Sequence, residues 1–507
     1  MVSLRLRSAC AHNEQSAGMA GLVASVIPRL YTAAFGLAAL AAGLALQSQS
    51  ASALPAYARQ TGQTCATCHT AFPELTPFGR QFKLMGYTSG GTRCDDGSAK
   101  SEETQIPLAV MAWPATYTSY KNKAANPTSP PNSINDNDWL PGQFSLFVAG
   151  QYYCNVGGFA QMTYDRPGNG FSWDLTDIKY AKTTTVDGIP MVYGIAATNV
   201  PGISDPWNTL NAGFNFPWIV SEVAPTPTAA TMLGGNTWGG RVGGVGAYVW
   251  VNNMFYAEIA SYGALDPRAL TDVGVDPTDG TARFSGGAPY WRFAAEKTWD
   301  KNSLMIGTFG MYANVTPTNA GVGNILNIPP QALALGGVTD PFLDIGLDSQ
   351  YQWIGEHNAV TVRATYVWEH QKLNVEYNPL IGTAANPTDE LNDLNINASY
   401  IYDRKISLTV GYFATWGTSD TGLYSNYNGN GSPNSNGWNF DLAYLPFMDG
   451  GPDLWPWFNA RIGVLYTHYD EFNGTSGLNY STNYATNNAL VKASGNDTVF
   501  FYTWLMF

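Results

Sequence analysis

The chain has 507 residues, a formal net charge of −13, and only 12% charged residues against 13% aromatic ones. An acidic surplus with no basic stripe excludes nucleic acid as a partner, because nothing is present to neutralise phosphates. So low a charge content is a poor recipe for a cytosolic enzyme and suits a surface that meets lipid, joined by loops rich in Gly (53 in all), Asn, Pro and Thr. A single compact domain rarely grows this long, whereas a membrane barrel carrying a small module does.

Residues 1–53 read as an export signal. Arg29 precedes an apolar stretch from Leu30 to Leu46, and a polar spacer then leads to Ala51-Ser52-Ala53, a small-x-small cleavage site. The stretch is short for a membrane anchor. The polar run before Met19 is atypical of a signal and leaves Met19 open as an alternative start. The mature chain is expected to begin near Leu54. Of the five cysteines, Cys10 leaves with the signal, Cys65 and Cys68 share one motif, and Cys94 and Cys154 remain as a possible pair in an oxidising compartment.

The next segment, 54–105, carries that motif. Residues 64–70 read Thr-Cys-Ala-Thr-Cys-His-Thr, and Cys-x-x-Cys-His is the attachment pattern of c-type haem. Two thiols add across the two vinyl groups, and the adjacent His binds iron as the proximal ligand. A thioredoxin-like site would need a βαβ pattern around it, and a zinc site a second ligand pair; the sequence offers neither. The expectation is one covalent haem c on Cys65 and Cys68, with His69 on the iron. Thr76-Pro77 forms a helix start and Gly86 a stop, so a short helix ends at Met85. Met85 is one candidate for the sixth ligand, which would raise the potential. Met111 is the other. His357, His370 and His468 lie far along the chain.

From residue 106 to 507 the theme is a strand of about ten residues with two unlike faces, as a tilted transmembrane β-strand requires. Ile406, Leu408 and Val410 oppose Ser407, Thr409 and Gly411; Val360, Val362 and Tyr366 oppose Thr361, Arg363 and Glu369; Leu343, Ile345 and Leu347 oppose Asp344, Asp348 and Gln350. About 16 such segments are expected, beginning near residues 106, 143, 159, 172, 191, 241, 254, 289, 303, 341, 359, 392, 406, 437, 459 and 497. Short connections (155–158, 186–190, 252–253, 300–302, 355–358, 404–405) alternate with long ones (121–142, 200–240, 263–288, 314–340, 373–391, 417–436, 472–496). Short turns face the periplasm and long loops the exterior, which puts both chain ends in the periplasm. A soluble β-sandwich or propeller would show more Lys and Glu on its outer faces. The fold class is therefore all-β: a 16-stranded outer-membrane barrel with a small helical haem plug at its N-terminal side. Parity in the first strand turns Ala109, Met111 and Trp113 into the lumen, where Met111 would reach a plug-borne iron.

The run from Leu54 to Tyr87, LPAYARQTGQTCATCHTAFPELTPFGRQFKLMGY, resembles the fused cytochrome–porins of iron-oxidising bacteria, the outer-membrane monohaem iron oxidases. The layout agrees: signal, single Cys-x-x-Cys-His module, long barrel, and a terminal aromatic, Phe507, similar to that of outer-membrane barrels. The resemblance implies an Fe(II) oxidase that takes electrons from extracellular Fe(II) and passes them to a periplasmic c-type cytochrome or copper protein. Only Cys65, Cys68 and His69, the last as the redox centre's ligand, carry over residue by residue. Low charge content also suits an acid habitat, where the 25 Lys and Arg plus 5 His would give about +30 once carboxylates are neutral.

Two other functions compete: a porin merely plugged by the module, and an electron conduit whose donor is not Fe(II). Arg292, Glu296, Asp344, Asp348, Arg363 and Glu369 are lumen groups that would line a water path or simply solvate the interior. Asp136 and Asp138 are candidate iron-contacting loop residues. No P-loop, His-Glu-x-x-His or Gly-x-Ser-x-Gly pattern is present.

Overall fold

Alternation about an extended backbone gives each strand one lipid face and one lumen face. The computed structural model describes residues 55–91, 107–121, 139–165, 170–210, 212, 217–235, 238–275, 283–316, 338–379, 383–424, 430–451, 457–477, 480–481 and 490–507. Nineteen strand pieces form one antiparallel sheet, and because three strands are each broken once, they make sixteen. These are β1 (Leu108–Ala112, resumed at Thr116–Ser119), β2 (Trp139–Leu140, resumed at Phe144–Tyr153), β3 (Val156–Asp165), β4 (Gly170–Val186), β5 (Ile189–Thr198) and β6 (Val242–Val251). Next come β7 (Phe255–Ala264), β8 (Arg283–Phe284, resumed at Ala288–Trp299), β9 (Asn302–Thr316), β10 (Asp340–Ile354) and β11 (Ala359–Lys372). The last five are β12 (Thr388–Tyr402), β13 (Ile406–Gly417), β14 (Ser435–Tyr444), β15 (Asn459–Glu471) and β16 (Thr498–Met506). Each strand pairs with the next, and β16 pairs back onto β1, with Met111 opposite Met506 and Thr116 opposite Tyr502. The sheet closes, so no unpaired edge is left.

Every expected strand is present. The outer face is apolar: Ile259, Val245 and Ile306 are each more than 60% exposed, and Phe293, Leu347, Leu408 and Leu442 stand on the same exterior. Water does not tolerate a continuous belt of this kind, whereas a closed barrel in lipid satisfies its backbone internally and needs one. The chain is a membrane-spanning barrel of the bacterial outer-membrane type.

Turn chemistry fixes the register at the tight end. Val186 pairs with Ile189 across Asp187-Gly188, both at positive φ (51° and 80°), the left-handed geometry that matches hairpin twist. Three connections depart from expectation. The turn between β2 and β3 is Cys154-Asn155, and Gly157 and Gly158 already belong to β3. A Cβ on Gly157 would lie 2.5 Å from the Gly86 carbonyl oxygen, so this glycine serves close approach to the wall rather than a turn. The connection from Leu445 to Phe458 lies at the short-turn end but is long, and its Leu445 and Met448 are buried against Ala58, Cys65 and Ala71. The third departure is the connection at 199–241, expected outside: Trp207, Asp205 and Thr231 are fully buried, and its described residues around them fold into the lumen.

In the connection after β11, Glu376 is pushed up to about 7 by burial, with Asp340, Asp420 and Asp389 adding repulsion. A carboxyl raised above its ordinary value contributes stability that is full below about 4.5 and is lost as pH rises through about 7. The amides of Thr383 and Ala384 donate to the Glu376 carbonyl. Their hydrogen exchange is expected to quicken between about pH 5 and pH 8 beyond the intrinsic pH effect, and Glu376→Gln to remove that excess. An identical pH profile in both proteins would refute the assignment.

Candidate functional site

Three short helices precede the barrel and belong with it to one compact unit: α1 (Pro55–Thr61), α2 (Cys65–Cys68) and α3 (Pro77–Leu84). The single turn of α2 ends where the His69 amide donates to the Cys65 carbonyl (2.8 Å). Thr76 caps α3, its hydroxyl accepting from the Gly79 amide (3.1 Å) and donating to the Thr67 carbonyl (2.6 Å). Pro77 supplies the first helical residue, where a missing N–H costs nothing. A Cβ on Gly79 would sit 2.2 Å from the Cys68 carbonyl oxygen, so only glycine lets α3 lie against α2. Gly86 ends the run at φ 65°.

Beside α2 is a cavity of about 120 Å³, open on one side, between the plug and the inner faces of β1, β2, β3 and β16. Its walls are Phe72, Phe82, Phe147, Phe159 and Trp504, and Lys83 is the one cation in the lining. Cys68 and His69 open into it. Burial pushes His69 down to about 4, opposed in part by the nearby backbone of Glu74 and Pro73. The imidazole is therefore neutral and keeps a lone pair for a metal. Its Nδ1 is buried with no hydrogen-bond partner. Neither Cys65 nor Cys68 is in a disulfide, and burial raises both thiols, Cys65 to about 12 and Cys68 to about 11. Cys65 stands apart from the lining and accepts an N–H from Asn459 (3.0 Å), so attachment through it requires the side chain to leave Asn459.

An aromatic lining, a neutral buried imidazole and an adjacent thiol fit a covalently held haem c. The two expected methionines separate here. Met111 lines the cavity. Met85 does not: α3 turns Gly79, Phe82 and Lys83 to the cavity, and Met85, just past the helix end, packs on the cluster of Leu84, Ala181, Val192 and Trp207. Met506, opposite Met111 in register, also lines the cavity. The same two-residue parity that singled out Met111 runs through Phe500, Tyr502, Trp504 and Met506, and would have found it.

The lumen charges hold the plug and the inward loop rather than line an open path. Arg80 donates to Gln352 Oε1 (2.7 Å) and Glu296 Oε2 (3.2 Å). Glu74 accepts from Ser399 (2.9 Å) and lies 3.6 Å from Arg363. Lys83 donates to the Asp205 carbonyl (2.7 Å) and Asn208 Oδ1 (2.9 Å). In the loop, the Met232 amide donates to Glu369 (2.7 Å), the Leu233 amide to Asp344 (2.8 Å) and the Thr231 amide to Asp393 (2.7 Å). Arg292 Nη2 reaches Asp348 Oδ2 (2.6 Å) and its Nε lies 3.0 Å from Asp205. His357, His370 and His468 are all outside the cavity lining. Among the described residues no group of three or more His, Cys, Asp or Glu is arranged to hold a metal ion. Cys154 is disulfide-bonded; Cys94, Asp136, Asp138 and the signal segment lie outside the described residues.

The barrel is similar to solved porins. The outer-membrane channel DcaP of Acinetobacter baumannii shares 12% identity at a TM-score of 0.41, over 80% of this chain and 99% of the channel. An anion-selective porin from Comamonas acidovorans shares 11% at 0.39, over 79% and 98%. A loop-deleted OmpT of Vibrio cholerae shares 9% at 0.39, over 79% and 97%. No family model and no curated protein matches the chain. The strand pairing described above establishes the porin-like barrel independently of these likenesses.

Proposed function

We propose that this outer-membrane barrel is a c-type cytochrome that oxidises extracellular Fe(II) and delivers the electron to a periplasmic c-type cytochrome or copper protein. The observation that carries the reading is the aromatic cavity inside the barrel into which Cys68 and His69 open. Haem c held there supplies a one-electron carrier, so each Fe(II) oxidised matches one electron given to the acceptor. The chain's own contribution is to keep His69 neutral and to exclude water with Phe72, Phe147, Phe159 and Trp504. It also clamps the plug through Glu74, Arg80 and Lys83. Fe(II) as donor rests on the resemblance of residues 54–87.

The experiment uses outer membranes from a strain that matures c-type haem. Fe(II) is added anaerobically to the oxidised protein while the visible spectrum is followed. Prompt reduction, lost in His69→Ala, is the expected result. A covalent haem that dithionite reduces and Fe(II) does not, at acid and neutral pH alike, would refute Fe(II) as donor.

A second reading is a passive channel. An open cavity of about 300 Å³ between the inward loop and the wall, edged by Asp393, Asn395, Asn439 and Thr467, favours it. It predicts steady ion conductance of the intact protein in planar bilayers.

A further inference from the structure

The cavity beside His69 contains few groups able to bind a metal, and most are already committed. The Tyr57 hydroxyl donates to the Gly158 carbonyl (3.0 Å) and that of Tyr87 to Asp177 (2.7 Å). The Lys83 ammonium is held by Asp205 and Asn208. Two thioethers remain, Met111 and Met506, 6% and 2% exposed. They are register partners on the two strands that close the sheet, and both point inward into the same cavity as His69. Packing alone does not require two methionines in a wall otherwise built of Phe and Trp. A soft thioether is a recognised partner of haem iron opposite histidine.

We propose that the sixth ligand of a haem held by Cys65, Cys68 and His69 comes from the barrel wall. Met111 supplies it, with Met506 beside it able to take its place. The inference rests on the haem reading above. It gives the iron one ligand from the plug and one from the seam where the first and last strands meet. The potential is thereby set by a contact that forms only in the closed barrel.

The test compares Met111→Leu, Met506→Leu, the double variant and Met85→Leu, since Met-to-Leu exchanges keep volume and are well tolerated. Readouts are haem stain on denaturing gels, the near-infrared charge-transfer band of thioether-ligated ferric haem, and the reduction potential. The double variant is expected to keep covalent haem, lose the band and shift to lower potential; Met85→Leu is expected to match wild type. Met111→His is expected to give a bis-imidazole spectrum, which a merely structural role would not produce. An unchanged band in the double variant, or its loss in Met85→Leu, overturns the ligand assignment while the haem reading stands. Absence of haem stain from the wild type overturns both.

Discussion

Arg292→Ala is expected to release the inward loop and lower barrel stability by about 3–5 kcal/mol, the range for removing one partner of a buried charge pair. Arg292 is fully buried, as are Asp205 and Asp348, and the guanidinium joins the loop carboxylate to the wall carboxylate. It also lies 5.4 Å from the centroid of Trp207. Without it, two carboxylates face each other in a low-dielectric interior: Asp205 keeps Thr209, Trp207 and the nearby Lys83 ammonium, and Asp348 keeps the Thr209 hydroxyl. The check is the denaturant midpoint of the folded barrel together with protease cleavage within residues 199–241. Arg292→Ala combined with Asp348→Asn should recover part of the loss, because one of the stranded charges is gone. A single variant as stable as wild type would refute the role given to Arg292.

Arg80→Ala is expected to free the plug while leaving the strands intact. Arg80 is 2% exposed and is the plug residue with the widest reach, contacting β8 through Glu296, β9 through Ser303 and β10 through Gln350 and Gln352. Its loss strands the buried Glu296 on Ser303 and Trp207, again at a cost of about 3–5 kcal/mol. That cost falls on docking of 55–91 rather than on strand pairing. Bilayer recordings should therefore show larger conductance than wild type, and limited proteolysis should remove the plug before the barrel is cut. Equal conductance with a protected plug would contradict the anchoring role.

The barrel was legible because its code is local. Alternation needs only residues i and i+2, and faces such as Ile406, Leu408 and Val410 against Ser407 and Thr409 need no knowledge of partners. The plug helix was legible for the same reason: Thr76, Pro77 and Gly86 mark start and stop within one short run. What stayed hidden depends on distant partners. The connection at 199–241 looks like a solvated loop, and only Glu369, Asp344 and Asp393, more than a hundred residues downstream, make its interior position possible by accepting its amides. Met85 and Met111 were equal candidates in sequence, since which one meets His69 depends on how α3 rotates inside a closed sheet. The lumen carboxylates were legible as inward-facing, but their pairing with Arg80 and the loop was not.

The closure of the sheet between β1 and β16 also sets an order of events. The plug precedes the first strand and fills the lumen with Glu74, Arg80 and Lys83 already paired to β8, β10, β12 and the inward loop. A module tied down by so many interior charges has no route through a finished ring. The later strands must wrap around it, so it acts as a mandrel, and β16 pairs with β1 last. Export, folding of the module and membrane insertion are thus expected to form a single sequence, in which the ring closes already filled, and a weakened anchor such as Arg80→Ala loosens the plug only after closure.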